Sequence, residues 1–318
     1  MLTGAGYIGA ALLDRLTALG SAAAPVVVLE SFFSTPREAV AAALPAGTLL
    51  VEGDIAEPAD VARAFDALGS SAEVTVFHLA AQPSAAMAVR EPSLTERSNL
   101  AGARLILEAA RERNARVVFG GSFRVYGDDL AGKCVDEQTP YGRVGDLSHL
   151  SKVYVEQLAR MLEVRFVSVR LGITYGLSPI MKTTPAFMTV PNLFCQRAAQ
   201  GEALRVLEDR PMAFIHVEDA AEALLRAAEV ASGGEVWQVL NAAPEVASIG
   251  QLAHTVRWLM QQRGGDARIQ DAAAMGADAT FEVRSRLALE PRHSLESGLP
   301  RVLDYFVRWL RTSEPICC

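Results

Sequence analysis

The strongest constraint on this 318-residue chain is an alternation of two hydrophobic rhythms. Short apolar, mostly β-branched runs recur at 26–29, 49–51, 74–79, 117–119, 166–169 and 236–240. Most lack the polar alternation of a half-exposed strand, as expected when both faces are covered. Between them the spacing changes to that of buried helix stripes. Ile8, Leu12, Leu16 and Leu19 form one, with Gly20 as its stop. Leu100, Leu105, Leu107 and Ala110 mark a second, and 153–162 a third. Strand, helix and strand repeated in this way join parallel strands by right-handed crossovers. The expected fold is therefore α/β, a doubly wound parallel sheet with helices on both faces.

The pattern weakens after Leu171. Residues 176–192 are rich in Pro, Thr and Met and read as a long loop. Helices are expected near 193–200 and 249–262, and 214–230 reads as a strand end followed by a helix. From Phe281 a short helix is expected, then helical periodicity at 303–310. This half reads as a smaller lobe interleaved with returns to the main sheet. The alanine-rich stretches 22–24, 41–43 and 272–274 read as helix or loop surface.

Composition narrows the function. Half of the residues are hydrophobic and 21% are charged, enough for a full core and against disorder. A formal charge of -7 argues against nucleic acid as a partner, which calls for a concentrated basic face. No apolar run is long enough to span a bilayer. The start lacks the basic region of a signal peptide, so a cytoplasmic location without membrane partners is expected. Cys134, Cys195, Cys317 and Cys318 show no CxxC pair and no Cys/His ligand spacing, so neither a disulfide scaffold nor a metal site is expected. Cys317-Cys318 reads as an exposed end.

Gly4-Ala5-Gly6-Tyr7-Ile8-Gly9 opens the first helix. Glycines at this spacing give a tight turn, bare backbone beside a pyrophosphate and close packing of helix on strand. The helix N-terminus adds unpaired N–H groups for the phosphates. Glu30 ends an apolar strand twenty-one residues after Gly9, where a carboxylate accepts ribose hydroxyls and repels a 2′-phosphate. With no arginine until Arg37, NAD is favoured over NADP. Asp54-Ile55, after the third strand, places a carboxylate near the adenine or caps a turn. Only Met1, Leu2 and Thr3 precede the glycine loop, so the central strand is either very short or begins upstream.

With these residues the chain resembles the extended short-chain dehydrogenase/reductase family, in particular its NAD-dependent epimerase/dehydratase branch. The carriers are TGAGYIG (3–9), Glu30, GDI (53–55), HLAAQ (78–82), Asn99 in NLAGARLILEAAR, SFRVYG (122–127), Lys152 in SKVYVEQ, VRLGITYG (169–176), FIHVEDAAEALL (214–225) and LEPRHSLESGL (289–299). They span nearly the whole chain. The resemblance implies a Rossmann sheet with a dinucleotide-binding domain over 1–172 and 203–245 and a substrate-binding lobe over 173–202 and 246–318. It implies NAD contacts from Gly4, Gly6, Tyr7, Ile8, Gly9, Glu30, Asp54, Ile55, Leu79, Ala80, Ala81 and Lys152. It also implies a homodimer through the helices carrying Asn99 and Lys152.

The family's chemistry oxidises a sugar-like alcohol by hydride transfer to the nicotinamide while a tyrosine removes the hydroxyl proton. The phenol's pKa of about 10 is lowered by a lysine one helical turn later and by the cationic nicotinamide. Matching positions make Ser122, four residues before Tyr126, the hydroxyl that holds the reacting oxygen, and Lys152 the lysine. The tyrosine is missing: four residues before Lys152 stands Ser148. An aliphatic hydroxyl is a far weaker acid than a phenol, and Ser148 also reads as a helix N-cap. The proton acceptor is left open among Ser148, His149, Tyr126, Tyr141, a water and the substrate. His149 shares a helix side with Lys152, and imidazole ionises near neutrality.

The substrate end departs too. Ile173 stands where relatives of nucleotide-sugar type carry asparagine, and Met212-Ala213 where they carry an arginine–aspartate pair. Arg124 is a candidate anchor for an anionic or polar substrate, and Gln82, Ser122 and Ile173 are further substrate-side candidates. His78, His216 and Asn99 read as structural. The expected activity is NAD-dependent modification of a sugar or nucleotide-sugar-like molecule, by epimerisation, dehydration or net redox change. The alternative is a dinucleotide-binding protein without turnover, a sensor or structural partner.

Overall fold

The apolar runs become strands because helices cover both of their faces. In a computed structural model, which describes all residues except 21–25, 71–72, 231–234, 272–279 and 314–318, seven parallel strands form one sheet. The alanine stretches at 22–24 and 272–274 and the pair Cys317-Cys318 lie outside the described residues. The strands lie in the order Trp237–Ala242, Arg165–Leu171, Arg116–Ser122, Thr75–His78, Leu2–Thr3, Val27–Glu30, Leu49–Glu52. The chain winds outward from Leu2–Thr3 to Leu49–Glu52, then returns to Thr75–His78 on the other side and winds the opposite way. Such a reversal leaves a crevice at the carboxyl ends of the strands beside it. The central strand pairs through Leu2 and Thr3, with Val28-Leu29 on one side and Phe77-His78 on the other.

Each face of the sheet has its own core. On one face Leu12 and Leu13 of helix Tyr7–Ala18 pack with Ala220, Ala223 and Leu224 of helix Val217–Val230. On the other, Phe65 of helix Pro58–Asp66, Ile106 and Leu107 of Ala103–Glu112 and Val155 of Leu147–Met161 close over Val117 and Phe166. Complete burial of each large aliphatic side chain contributes roughly 1.5–3 kcal/mol.

A second sheet holds Ile173–Tyr175, Pro211–His216 and Glu245–Ser248. Its core is shared with helices Val190–Ala199, Ile249–Gln261 and Leu295–Ser313. Segment 203–245 is thus divided. Leu204–Val206 pairs with Ile269–Asp271 and Pro211–His216 joins the second sheet, whereas Trp237–Ala242 returns to the first.

Some elements differ from the sequence reading. Phe281 precedes a strand, Glu282–Val283, rather than starting a short helix. That strand pairs with Cys134–Val135, and the Phe281 ring stacks on Phe123 at 5.8 Å. The last helix is continuous through Pro300. The helix expected over 153–162 starts at Leu147, and its N-cap is Asp146 rather than Ser148. Asp146 Oδ1 accepts the His149 N–H at 3.0 Å, the usual geometry of an acidic cap. The Ser148 hydroxyl turns to the Pro83 carbonyl at 3.4 Å. The Asn99 side chain ties a π-helical turn, Glu96–Gly102, to its neighbours: it accepts from Gln82 N and donates to Gln82 O and Ser151 Oγ. Among the described residues no helix is long and apolar enough to cross a membrane.

Candidate active site

A cleft of about 750 Å³ opens at the carboxyl ends of the central strands. Every residue singled out above as a cofactor, catalytic or substrate candidate lines it, apart from Tyr126 and Tyr141. The nucleotide half is built on glycine. Gly4 has φ +82°, and a Cβ there would stand 2.7 Å from the Ala80 backbone; one on Gly9 would stand 2.1 Å from the Gly4 carbonyl oxygen. Helix Tyr7–Ala18 begins at Gly6 with no side chain capping it. Bare backbone and an uncapped helix start suit a pyrophosphate. Glu30, at the end of its strand, accepts from Ala5 N at 2.7 Å, Ser31 N at 3.0 Å and Phe32 N at 2.9 Å. Asp54 accepts from Ala56 N and pairs with Arg97 at 3.0 Å. Tyr7 donates its hydroxyl to the Gly176 carbonyl at 2.7 Å, and burial holds its pKa far up. These residues fit NAD: bare backbone for the phosphates and a carboxylate at the ribose position.

The reactive half lies where strand Arg116–Ser122 ends. Ser122 Oγ accepts from Arg124 N at 3.3 Å, which leaves its own proton free to be donated. Lys152 donates to the Gly120 carbonyl at 2.8 Å, with its ammonium 4.7 Å from the centre of the Phe119 ring. Burial lowers its pKa to about 8, against the opposing pull of Glu156. Ser148 and His149 share this part of the cleft.

The tyrosines are committed elsewhere. Tyr126 donates to Asn241 Oδ1 and accepts from Arg170. Tyr141 donates to Glu156, and burial together with that carboxylate pushes its pKa up to about 12. Neither lines the cleft. His149 stands differently. Its Nδ1 lies 2.7 Å from Asp146 Oδ2, with both side chains mostly buried. Burial works to raise the pKa of Asp146, but the hydrogen bonds from the His149 ring and N–H prevail and hold it below the usual carboxylate value. An ionised carboxylate only accepts, so Nδ1 carries a proton, and in the neutral ring the lone pair is then on Nε2. Asp146 was missed in the sequence, although an acidic cap three residues before a histidine is a legible signal.

On the substrate side, Arg124 is no free cation. Its Nη2 pairs with Asp128 at 3.0 Å, and Arg210 pairs with the same carboxylate at 2.5 Å. Arg210 precedes Met212 by two, the spacing that returns a side chain to the same face of a strand. Arg124 Nε is buried without a partner. Ile173, Met212 and Ala213 give this wall apolar surface. The Gln82 amide is spent on structural partners, donating to Ser84 O in its own loop and to Thr95 Oγ1 on the helical turn Pro92–Thr95. His78 is buried against Thr3 Oγ1 at 2.7 Å, and burial lowers its pKa to about 3. Outside the cleft, His216, Glu218 and His293 bring one ligand atom each within 4.8 Å of one another. His216 already accepts the Glu218 N–H, and Arg292 and Arg301 bracket the group, which disfavours a cation there.

Comparison with known proteins agrees with this architecture. Residues 1–243 match the family described as "NAD dependent epimerase/dehydratase family". UDP-glucuronic acid decarboxylase 6 of Arabidopsis thaliana is 25% identical over 324 residues, covering 95% of this chain and 87% of that protein. UDP-N-acetyl-alpha-D-glucosaminuronate decarboxylase of Bacillus cytotoxicus is 25% identical over 323 residues, covering 95% of both. Among solved structures, the UDP-glucose 4-epimerase of Thermotoga maritima with UDP-glucose superimposes with a TM-score of 0.78 at 23% identity, over 97% of this chain and 98% of that one. The Thermus thermophilus UDP-glucose 4-epimerase in complex with NAD gives 0.77 at 24% identity, over 96% and 97%.

Proposed function

Since this chain belongs to the NAD-dependent epimerase/dehydratase family and is an NAD-dependent enzyme of that type, we propose that it oxidises, transiently or in net, a secondary hydroxyl of a sugar or nucleotide sugar, with His149 in place of the absent tyrosine. The observation that carries this reading is the Asp146–His149 pair, set in the cleft that also holds Ser122 and Lys152. Bound NAD supplies the hydride acceptor. Ser122 donates a hydrogen bond to the reacting oxygen and fixes its direction. His149 Nε2 receives the hydroxyl proton while Asp146 holds the ring and stabilises the imidazolium that forms. Lys152 would hold the nicotinamide ribose as a hydrogen-bond donor. Arg124, paired with Asp128, anchors the substrate's polar end by hydrogen bonding, with Arg210 and Glu208 behind that carboxylate, while Ile173 and Met212 shape the apolar wall. The substrate lies between this wall, built from the second sheet, and the nucleotide half.

The test is stopped-flow reduction of bound NAD by a panel of free sugars and UDP-sugars, with Lys152→Ala as control. His149→Gln is expected to slow NADH formation by roughly 10²–10⁴-fold, the range for loss of a positioned base, with NAD affinity unchanged. A His149→Gln enzyme within threefold of the parent would remove the histidine from the chemistry. Failure of every sugar to reduce NAD in the parent would favour the non-turnover alternative.

A further inference from the structure

Lys182 belongs to the segment 177–189, which follows strand Ile173–Tyr175 outside the central sheet. Its ammonium nevertheless sits on the nucleotide side of the cleft. There it donates to Ser34 O at 2.7 Å, Ser34 Oγ at 3.0 Å and Thr35 Oγ1 at 2.5 Å. The atoms nearest to a Cβ built on Gly6 are Lys182 Nζ and Thr35 Oγ1, both at 3.7 Å. Gly6 is the uncapped start of the first helix and the glycine expected to lie beside a pyrophosphate. The same segment reaches across a second time, where Phe187 meets Phe33 edge to face at 6.4 Å.

Lys182 forms no ion pair with any described residue. Among the described residues, four Lys and Arg side chains line the cleft: Arg97, Arg124, Lys152 and Lys182. Arg97 pairs with Asp54 and Glu57, and Arg124 with Asp128. Lys152 lies under the end of strand Arg116–Ser122, on the Gly120 carbonyl. Lys182, half-buried, touches neutral oxygens. Its burial works against the charged form, and the field of Glu30 opposes that. The Glu30 oxygens are themselves taken by the Ala5, Ser31 and Phe32 N–H groups. A half-buried cation held by neutral acceptors beside a bare-backbone loop is matched by an anion delivered with a ligand.

We propose that Lys182 is a pyrophosphate-binding residue: its ammonium pairs with the dinucleotide phosphates over Gly6, so that the segment 177–189 holds the cofactor from the substrate side of the cleft. This rests on the NAD reading of the cleft. The neutral Ser34 and Thr35 oxygens preset the ammonium and yield part of its hydrogen bonds when the phosphates arrive.

The experiment is calorimetric titration of the whole chain, freed of co-purified nucleotide, with NAD, and competition of NAD by adenosine, which keeps base and ribose but has no phosphate. Lys182→Met retains the apolar stem and removes the charge. It is expected to weaken NAD by roughly 10–100-fold, the range for one charged hydrogen bond, and to leave adenosine within twofold. Lys182→Arg restores most of the NAD affinity. A Lys182→Met protein that binds NAD within twofold of the parent overturns the assignment. So does an equal loss for NAD and adenosine, which marks damage to the fold rather than loss of a phosphate contact. A parent protein that binds adenosine but gains nothing from the phosphates of NAD removes the cofactor reading as well as this one.

Discussion

Replacing Glu156 by glutamine tests what fixes helix Leu147–Met161 against the sheet. Glu156 is fully buried on helix Leu147–Met161, and its partner Arg170, 3% exposed, lies on strand Arg165–Leu171. The carboxylate accepts from Arg170 Nη2 at 2.7 Å and Nε at 3.1 Å, from Ser168 Oγ at 2.7 Å and from Tyr141 OH at 2.8 Å. All its lone pairs are used, so removal of the charge leaves a buried guanidinium facing an amide. Breaking one side of such a pair costs about 3–5 kcal/mol. That is a large share of the roughly 5–15 kcal/mol by which a domain is stable. Removing both charges in Glu156→Leu/Arg170→Met is expected to cost less than the sum of the single changes by about 2 kcal/mol, because no lone charge then remains. Tyr126 would keep Asn241 and Tyr141 would keep Gln157. Urea unfolding of the parent, Glu156→Leu, Arg170→Met and the double variant gives the cycle, with Glu156→Gln measured beside them. A Glu156→Gln cost below about 1 kcal/mol, or strictly additive singles, would refute the argument that this pair clamps the helix. The stakes are functional, because the same helix carries Ser148, His149 and Lys152, whose distance from Ser122 the clamp sets.

Three further outcomes are expected. Lys152, with a pKa lowered by burial to about 8, loses its charge as the pH rises through that value, so NAD affinity should fall above pH 8 with a single-proton profile that Lys152→Arg abolishes. In folding the sign is opposite: the depressed pKa penalises the native state below pH 8 and the penalty fades between about 8 and 10.5, so Lys152→Met should gain stability at neutral pH but not at pH 10. Homodimerisation through the helices that carry Asn99 and Lys152 predicts twice the chain mass by light scattering at micromolar concentration; a single-chain mass removes the dimer.

The parallel sheet was legible because its strands are apolar on both faces and its crossovers follow a helical spacing. The glycine loop was legible for a different reason: Gly4 and Gly9 stand where a Cβ meets backbone, so their type is dictated locally. What escaped was anything set by contacts distant in sequence. The strands Cys134–Val135 and Glu282–Val283 have two residues each and exist only through one another. Arg210 gave no signal until the fold brought it to Asp128, and Lys182 lay in a stretch whose composition says only loop. Asp146 is intermediate: its cap role was local and readable, its hold on His149 followed from it, and the reading stopped two residues late, at Ser148.

The proposed displacement of the proton acceptor by one residue, from position 148 to His149, is chemically coherent. A phenol needs a strong nearby cation to ionise at neutral pH, which ties the lysine of the usual arrangement to the tyrosine. An imidazole ionises near neutrality on its own and needs orientation instead. Here Asp146 supplies orientation, and it can do so because capping the helix already places its carboxylate over the His149 N–H. On that proposal Lys152 is released from the task of lowering a partner's pKa. Its position agrees: the ammonium rests on the Gly120 carbonyl and over the Phe119 ring rather than on the Ser148 hydroxyl. Restoring tyrosine at position 148 alone would then set a bulky phenol into a site that is 4% exposed and packed under the Pro83 carbonyl. Overpacking of that kind typically costs 1–3 kcal/mol, so the two arrangements are alternatives that one substitution does not interconvert.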